Sequence, residues 1–231
     1  MAARDLARKI KAMSRSRLLF ALVFLLAGCV GTPRLPQVPG PRSDESRRPS
    51  PAEAARCSAD LTLARANYSP LPDRAFEPGC ARWNAVSLLA VPSDDRELGV
   101  TGLSAVACPM ARGFAGWARY GVSRAASQIL GSPLIRIETY GSYACRNIDS
   151  SDRRSAHATA NAIDVAAFVL ADGRRLSVLN EWDSADPATR HFFRVVHESA
   201  CKRFGTVLGP AYNADHRDHF HLEVSGRTFC R

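Results

Sequence analysis

Two short segments constrain this chain more than anything else in it. Residues 155–164 read SAHATANAID and residues 216–221 read HRDHFH, and together they hold four of the six histidines. His157 and Asp164 stand seven residues apart, and a His-x-His follows about fifty residues later. Neutral imidazoles and a carboxylate in this combination are what a catalytic Zn²⁺ takes while leaving one position for water. The distal segment continues as HFHLEV over 219–224. A strand period of two puts His219, His221 and Glu223 on one face, and Phe220, Leu222 and Val224 on the other. AIDVA over 162–166 repeats the pattern: Asp164 is flanked on its own face by Ala162 and Ala166, small enough to leave room for a metal, while Ile163 and Val165 face the opposite side. Two strands thus point ligands at one spot.

The N-terminus reads as a targeting signal rather than as structure. Arg4, Arg8, Lys9, Lys11, Arg15 and Arg17, against the single acid Asp5, precede an apolar run over 18–27. That run is too short to span a bilayer as a stable helix and has the length of a signal-peptide core. It ends in LAGC over 26–29, which resembles the lipobox of bacterial lipoproteins, where cleavage exposes Cys29 for lipid attachment. An ordinary secretory signal containing a cysteine is the alternative. Residues 29–56 form the expected tether: Pro33, Pro36, Pro39, Pro41, Pro49 and Pro51 alternate with Arg, Ser, Asp and Glu, and large apolar side chains are scarce. The remaining body, 57–231, has about 175 residues, enough for one core. We therefore expect a domain on the periplasmic side of a cell envelope, lipid-anchored to the inner or outer membrane.

The formal charge of +9 overstates the basicity of that body. Residues 1–28 carry six positive charges and one negative, so the exported chain is left at about +4, nine less a net five. No Lys/Arg block lies beside aromatic residues, so nucleic acid is not an expected partner. Apart from Cys29, six cysteines remain: Cys57, Cys80, Cys108, Cys145, Cys201 and Cys230. An even number in an exported domain implies disulfides, and the absence of a short Cys-x-x-Cys argues against a cysteine zinc site or a redox motif. Fifteen pairings are open; we expect Cys57–Cys230, Cys80–Cys108 and Cys145–Cys201.

Over 57–108 the pattern suggests an irregular, proline-bearing stretch anchored by Leu61, Leu63 and the VSLL run over 86–89. Pro109 suits a first helical turn, and Met110, Phe114, Trp117 and Ala118 recur at helical spacing. Gly121 is expected to break that helix, with 122–130 continuing at an angle. Residues 134–140 and 162–169 alternate as strands. The ADG turn at 171–173 leads into a short strand over 175–178. Asp186 before Pro187 signals a helix start, and the helix should run to about Arg203, burying Phe192, Val195, Val196 and Ala200. With strands over 204–208 and 219–224, the expected fold is α+β: a small, mostly antiparallel sheet with helices packed on one face, stabilised by disulfides.

These residues carry a resemblance. Ser155-x-His157-x-x-x-x-Ala162-x-Asp164 with the distal His219-x-His221 resembles the zinc peptidases of the D-alanyl-D-alanine carboxypeptidase, lysostaphin and hedgehog superfamily, including its murein endopeptidase branch. Along 57–231 the chain is similar to the bacterial extensin-like C-terminal domain family, through YGSYACR over 140–146, the 155–164 segment, and VLGPAYN over 207–213 running into 216–223. The resemblance implies that His157, Asp164 and His221 hold the metal. It implies that His219 acts as base or orienting group, that His216 is a further active-site histidine, and that Arg146 faces a developing oxyanion. Ser155 belongs to the motif, and Asp218, like Asp215, either orients a histidine by hydrogen bonding or is a plain loop charge. One departure stands out: Ala160 occupies a position where the superfamily has Gly. If that position needs positive φ, Ala costs about 1 kcal/mol, and Asn161 is the residue expected to absorb the strain.

The expected function is that of an envelope-anchored zinc metallopeptidase, of endopeptidase or carboxypeptidase type, cutting peptide bonds in peptidoglycan stem peptides or cross-links. The competing expectation is a non-catalytic cell-wall binding or scaffolding module that retains the fold. His191 and His197, on the expected helix, read as surface or structural histidines, and Tyr143 either lines the cleft or fills the core.

Overall fold

The computed structural model describes residues 48–231. The expected signal peptide, Cys29 and most of the tether lie outside the described residues. Among the described residues, no helix is long and apolar enough to cross a membrane.

The folded body begins earlier than its composition suggests. Helix α1 (Pro51–Leu63) takes in the last residues assigned to the tether. Ser50 caps it, accepting from the Glu53 N–H while the Glu53 carboxylate accepts from the Ser50 N–H at 2.8 Å, and Pro51 occupies the first turn. The next forty residues are not irregular. They form β1 (Asn67–Pro70), β2 (Arg74–Glu77), β3 (Cys80–Arg82), β4 (Ala85–Pro92), β5 (Glu97–Thr101) and β6 (Val106–Ala107). Most are short and several are largely exposed, so their alternation is weak in the sequence and their pairing is settled by distant partners.

Helix α2 (Cys108–Trp117) follows, with Pro109 in its first turn. Gly121 does not break it. A π-helical segment, Ala118–Ser123, continues without interruption into α3 (Arg124–Leu130), which ends at Gly131 with φ 68°. Gly121 sits in the π turn, where an added Cβ would collide with the Ser199 hydroxyl on a neighbouring helix. The glycine serves close packing rather than termination.

The remaining elements are β7 (Leu134–Gly141), β8 (Ala162–Leu170), β9 (Arg175–Ser177), the one-turn α4 (Val178–Glu181), α5 (Pro187–Cys201), β10 (Thr206–Leu208), β11 (Phe220–Glu223) and β12 (Phe229–Cys230). Asp186 caps α5 by accepting from the Thr189 N–H. In α5, Phe192, Phe193, Val196 and Ala200 are buried, whereas Val195 is only partly so.

Ten strands join one sheet in the order β1-β4-β5-β7-β8-β11-β10-β12, with β6 on β4 and β9 on β8, and β2–β3 form a separate ribbon. Among the described residues only β5–β7 and β10–β12 run parallel. The α+β, mostly antiparallel expectation holds, in a larger sheet than expected. One core joins sheet and helices: Trp117 donates its indole N–H to the Val196 carbonyl at 3.2 Å, and Phe168 meets Trp117, Phe192 and Phe193 edge-on.

The disulfides are Cys57–Cys108, Cys80–Cys145 and Cys201–Cys230, so all three expected pairings are corrected. Cys57 on α1 meets Cys108 at the start of α2 because both face the core between these helices. Cys230 lies on β12 beside β10, which follows shortly after the end of α5 at Cys201.

Candidate metal and active site

Strand β8 sits between β7 and β11, and its inward residues explain its length. Ile163, Val165, Phe168 and Leu170 join the core. Their spacing is not a simple alternation. Glu138 pairs with Ala167 and Thr139 with Val165, leaving Ala166 as an extra residue on β8. On the other strand, Thr139 pairs with Val165 and Gly141 with Asp164, leaving Tyr140 extra on β7. Two bulges therefore follow one another on the C-terminal side of Asp164, a device that re-aims side chains beside functional sites. Ala166 is consequently the bulge residue, not a regular neighbour on the Asp164 face. Opposite Asp164 stand Gly141, with no side chain, and His221. On β11, Phe220 and Leu222 are fully buried as the period of two predicts, but Val224 lies beyond the strand end and is 41% exposed.

His157 arrives from a 3₁₀ turn, Ala156–Thr159. Ser155 caps this turn by accepting from the His157 N–H at 3.3 Å, so its part is to hold the turn that presents the histidine. Ala160 ends the turn in the left-handed region at φ 55°. The strain falls on Ala160 itself and is not passed to Asn161, contrary to expectation. The Ala160 carbonyl accepts from the Ala107 N–H at 2.9 Å and from the Ser142 hydroxyl at 3.1 Å, which fixes the conformation from two sides.

His157, Asp164 and His221 come together, their ligand-bearing atoms all within 4.8 Å of one another. His157 Nε2 lies 3.1 Å from Asp164 Oδ2 and 3.2 Å from His221 Nδ1, and His221 Nδ1 lies 2.9 Å from Asp164 Oδ1. Ligands about 2.0–2.1 Å from a tetrahedral zinc lie about 3.3 Å apart, so the donor set and its spacing fit that ion. Both outer ring nitrogens are held. His157 Nδ1 donates to the Ser142 carbonyl at 2.6 Å, which leaves Nε2 with its lone pair toward the cluster. His221 Nε2 faces Glu223 Oε2 at 3.6 Å. Ser142 and Glu223 were not singled out from sequence. A backbone carbonyl leaves no trace there, whereas the strand period already put Glu223 on the same face as His221.

Burial would push Asp164 up, but the adjoining His157 and His221 imidazoles more than offset it and hold the carboxyl far below its usual range. Burial pulls His221 down, yet the neighbouring Asp164 and Glu223 carboxylates outweigh it and raise this imidazole to about 9. His216 is pushed down to about 4 by burial and by the nearby His219 and His221, so it is neutral near pH 7.

His219 borders the cluster. Its Nδ1 lies 2.8 Å from Asp218 Oδ1, and its Nε2 lies 3.5 Å from Asp164 Oδ1. Asp218 thus orients His219 and not a candidate ligand. The Asp218 carboxylate also accepts from the Tyr140 hydroxyl at 3.4 Å, with the Tyr140 ring edge-on to His219. His216, anchored by Asn213 Oδ1 at 2.6 Å, packs beside the His219 and His221 rings. Asp215 touches Asn213 and no histidine. Arg146 is exposed on the loop after β7, and among the described residues no side-chain hydrogen bond or ion pair ties it to the cluster; its carbonyl accepts from the Ser155 N–H at 3.1 Å. His191 is exposed. His197 is half-buried against Trp182 and Phe220, away from the cluster.

The fold and site define an α+β domain with a buried His₂Asp cluster at the centre of its sheet. Residues 55–231 match the family model described as extensin-like protein C-terminus, and the chain belongs to that family. No curated protein and no solved structure matches it.

Proposed function

We propose that this chain is a zinc-dependent peptidase of the cell envelope, lipid-anchored through Cys29 and acting on peptide bonds of peptidoglycan stem peptides or cross-links. The carrying observation is the convergence of His157, Asp164 and His221 within 4.8 Å, with His219 beside them. Zinc held there would supply a Lewis acid and a water acidified to a pKa of about 7. The rest is the work of this chain's own groups. Asp218 takes the Nδ1–H of His219, which turns Nε2 toward the cluster as a proton acceptor. His219 is then placed to take the proton of an attacking water and return it to the leaving amine. The motif resemblance assigns the oxyanion to Arg146, whose guanidinium would stay charged throughout. The peptidase superfamily is supported by the spacing of the Ser155–Asp164 and His219–His221 motifs, and the wall substrate by the envelope-directed N-terminus.

The test is incubation of the purified, zinc-loaded full chain in detergent with cross-linked and uncross-linked muropeptides, with products identified by mass. New amine and carboxylate termini are expected. Wall binding without any hydrolysis, at verified zinc occupancy, would replace the peptidase with a binding module.

A further inference from the structure

Beside the site lies a feature that the fold does not require. In the β2–β3 ribbon, Arg74 and Arg82 are direct cross-strand partners. Like charges placed opposite one another on a sheet are unfavourable, and no carboxylate relieves them: among the described residues, neither arginine makes an ion pair. The neighbouring acids are engaged elsewhere: Glu77 pairs with Arg154 at 3.5 Å, and Asp73 with Arg48 at 2.9 Å. Both guanidiniums lie over the Phe76 ring, at 4.8 and 5.0 Å from its centroid, and Arg82 also lies 5.7 Å from the Tyr143 ring. Phe76 is itself the extra residue of a bulge, since Ala75 pairs with Ala81 and Glu77 with Cys80. It remains 41% exposed and packs against Tyr143 at 5.1 Å. Two polar atoms here are buried without a hydrogen-bond partner, Arg82 Nε and the Tyr143 hydroxyl. Buried polar atoms are rarely left unpaired unless a partner is missing.

The ribbon is tied to the catalytic side. Cys80 is bonded to Cys145, Tyr143 directly follows the Ser142 whose carbonyl holds His157, and the Ala144 N–H donates to the His157 carbonyl at 3.0 Å. We propose that Arg74, Arg82, Phe76 and Tyr143 form a subsite for a carboxylate of the peptide substrate. A guanidinium pair on an aromatic floor suits a planar carboxylate, which it can engage in bidentate fashion, with the Tyr143 hydroxyl as a further donor. This deepens the peptidase reading and rests on it for the identity of the peptide.

Binding is measured without turnover, by calorimetry on the full chain treated with chelator in detergent. The probes are a synthetic stem pentapeptide with free carboxylates, the same peptide fully amidated, and inorganic phosphate as competitor. Arg74→Gln and Arg82→Gln should each weaken the free-acid peptide about tenfold, with affinity falling as salt rises. The amidated peptide should bind wild type no better than the variants bind the acid. Arg74→Gln should melt no lower than wild type, because the opposed charges are relieved. Unchanged affinity in both variants, equal binding of the amidated peptide, or phosphate competing as well as the peptide would each overturn the subsite. The two readings fail separately. Arginine-dependent binding without hydrolysis by the zinc-loaded chain sustains the subsite and removes the peptidase. Hydrolysis with the same KM in wild type and both variants does the reverse.

Discussion

Asp164 and His221 are cross-strand partners, joined Nδ1 to Oδ1 at 2.9 Å, and the residue facing Asp164 from the other side is Gly141. The sheet's own register therefore sets the spacing of two of the three candidate ligands, and only His157 depends on a turn. The proposed site predicts close to one zinc per chain. His157→Ala, Asp164→Ala or His221→Ala should each abolish it, and His191→Ala or His197→Ala should leave it unchanged, as read by metal analysis. Chelation should lower the melting temperature of wild type but not of the three ligand variants.

His219 and Arg146 separate turnover from metal binding. His219→Ala should keep zinc and fold while losing roughly 10²–10⁴-fold in kcat. Arg146→Ala should lose roughly 10²–10³-fold. A His219→Ala chain with full turnover would assign the proton transfer elsewhere, His216 being the nearest alternative imidazole.

Ala160 is buried at φ 55°. Glycine there relieves about 1 kcal/mol of left-handed strain but removes a buried methyl worth about 0.8 kcal/mol, so Ala160→Gly should be nearly neutral in urea denaturation. Ala160→Val, branched at Cβ and in a filled site, should cost about 2–3 kcal/mol. The reverse order would mean that the turn relaxes on substitution.

Non-reducing peptide mapping should recover Cys57–Cys108, Cys80–Cys145 and Cys201–Cys230. Replacing Cys57 and Cys108 together by Ser should cost about 2–4 kcal/mol. A Cys57–Cys230 peptide would contradict the placement of β12.

The Asp186 cap gives a pH signature. Hydrogen bonds from Thr189 hold its carboxyl below the usual range. A depressed folded pKa means that the contribution is full above the unfolded value of about 3.9 and is lost as pH falls through the folded one. Asp186→Ala should therefore melt lower than wild type at pH 7, and the gap should close on acidification below about pH 4. A gap that stays constant to pH 2 would exclude a charge-assisted cap.

Much of this was legible where one face of an element meets the core. Ile163 and Val165 facing the core with Asp164 on the opposite face, Phe220 and Leu222 facing it with His221 opposite, and Asp186-Pro187 opening a helix all follow from period and capping. The two bulges did not, because an extra residue at Ala166 or Tyr140 changes pairing without changing composition. The strands between residues 67 and 107 are short and partly exposed, so their identity comes from partners far along the chain. Cysteine pairing is likewise a tertiary fact. The Arg74–Arg82 opposition is invisible until β2 and β3 are set in register.

The connectivity of the cysteines has a consequence for biogenesis. As the body emerges N-terminus first, its cysteines appear in the order 57, 80, 108, 145, and the native links 57–108 and 80–145 interlock. An oxidant joining each cysteine to the next as it appears would make 57–80 and 108–145, neither of which exists in the fold. Correct bonding therefore waits until α1, the β2–β3 ribbon and the loop after β7 have assembled, or else needs a catalyst that reshuffles wrong bonds. The last pair, 201–230, joins neighbours in sequence and carries no such dependence. Cells lacking thiol isomerase activity should accumulate chains misbonded in the first 145 residues but properly closed at the C-terminus.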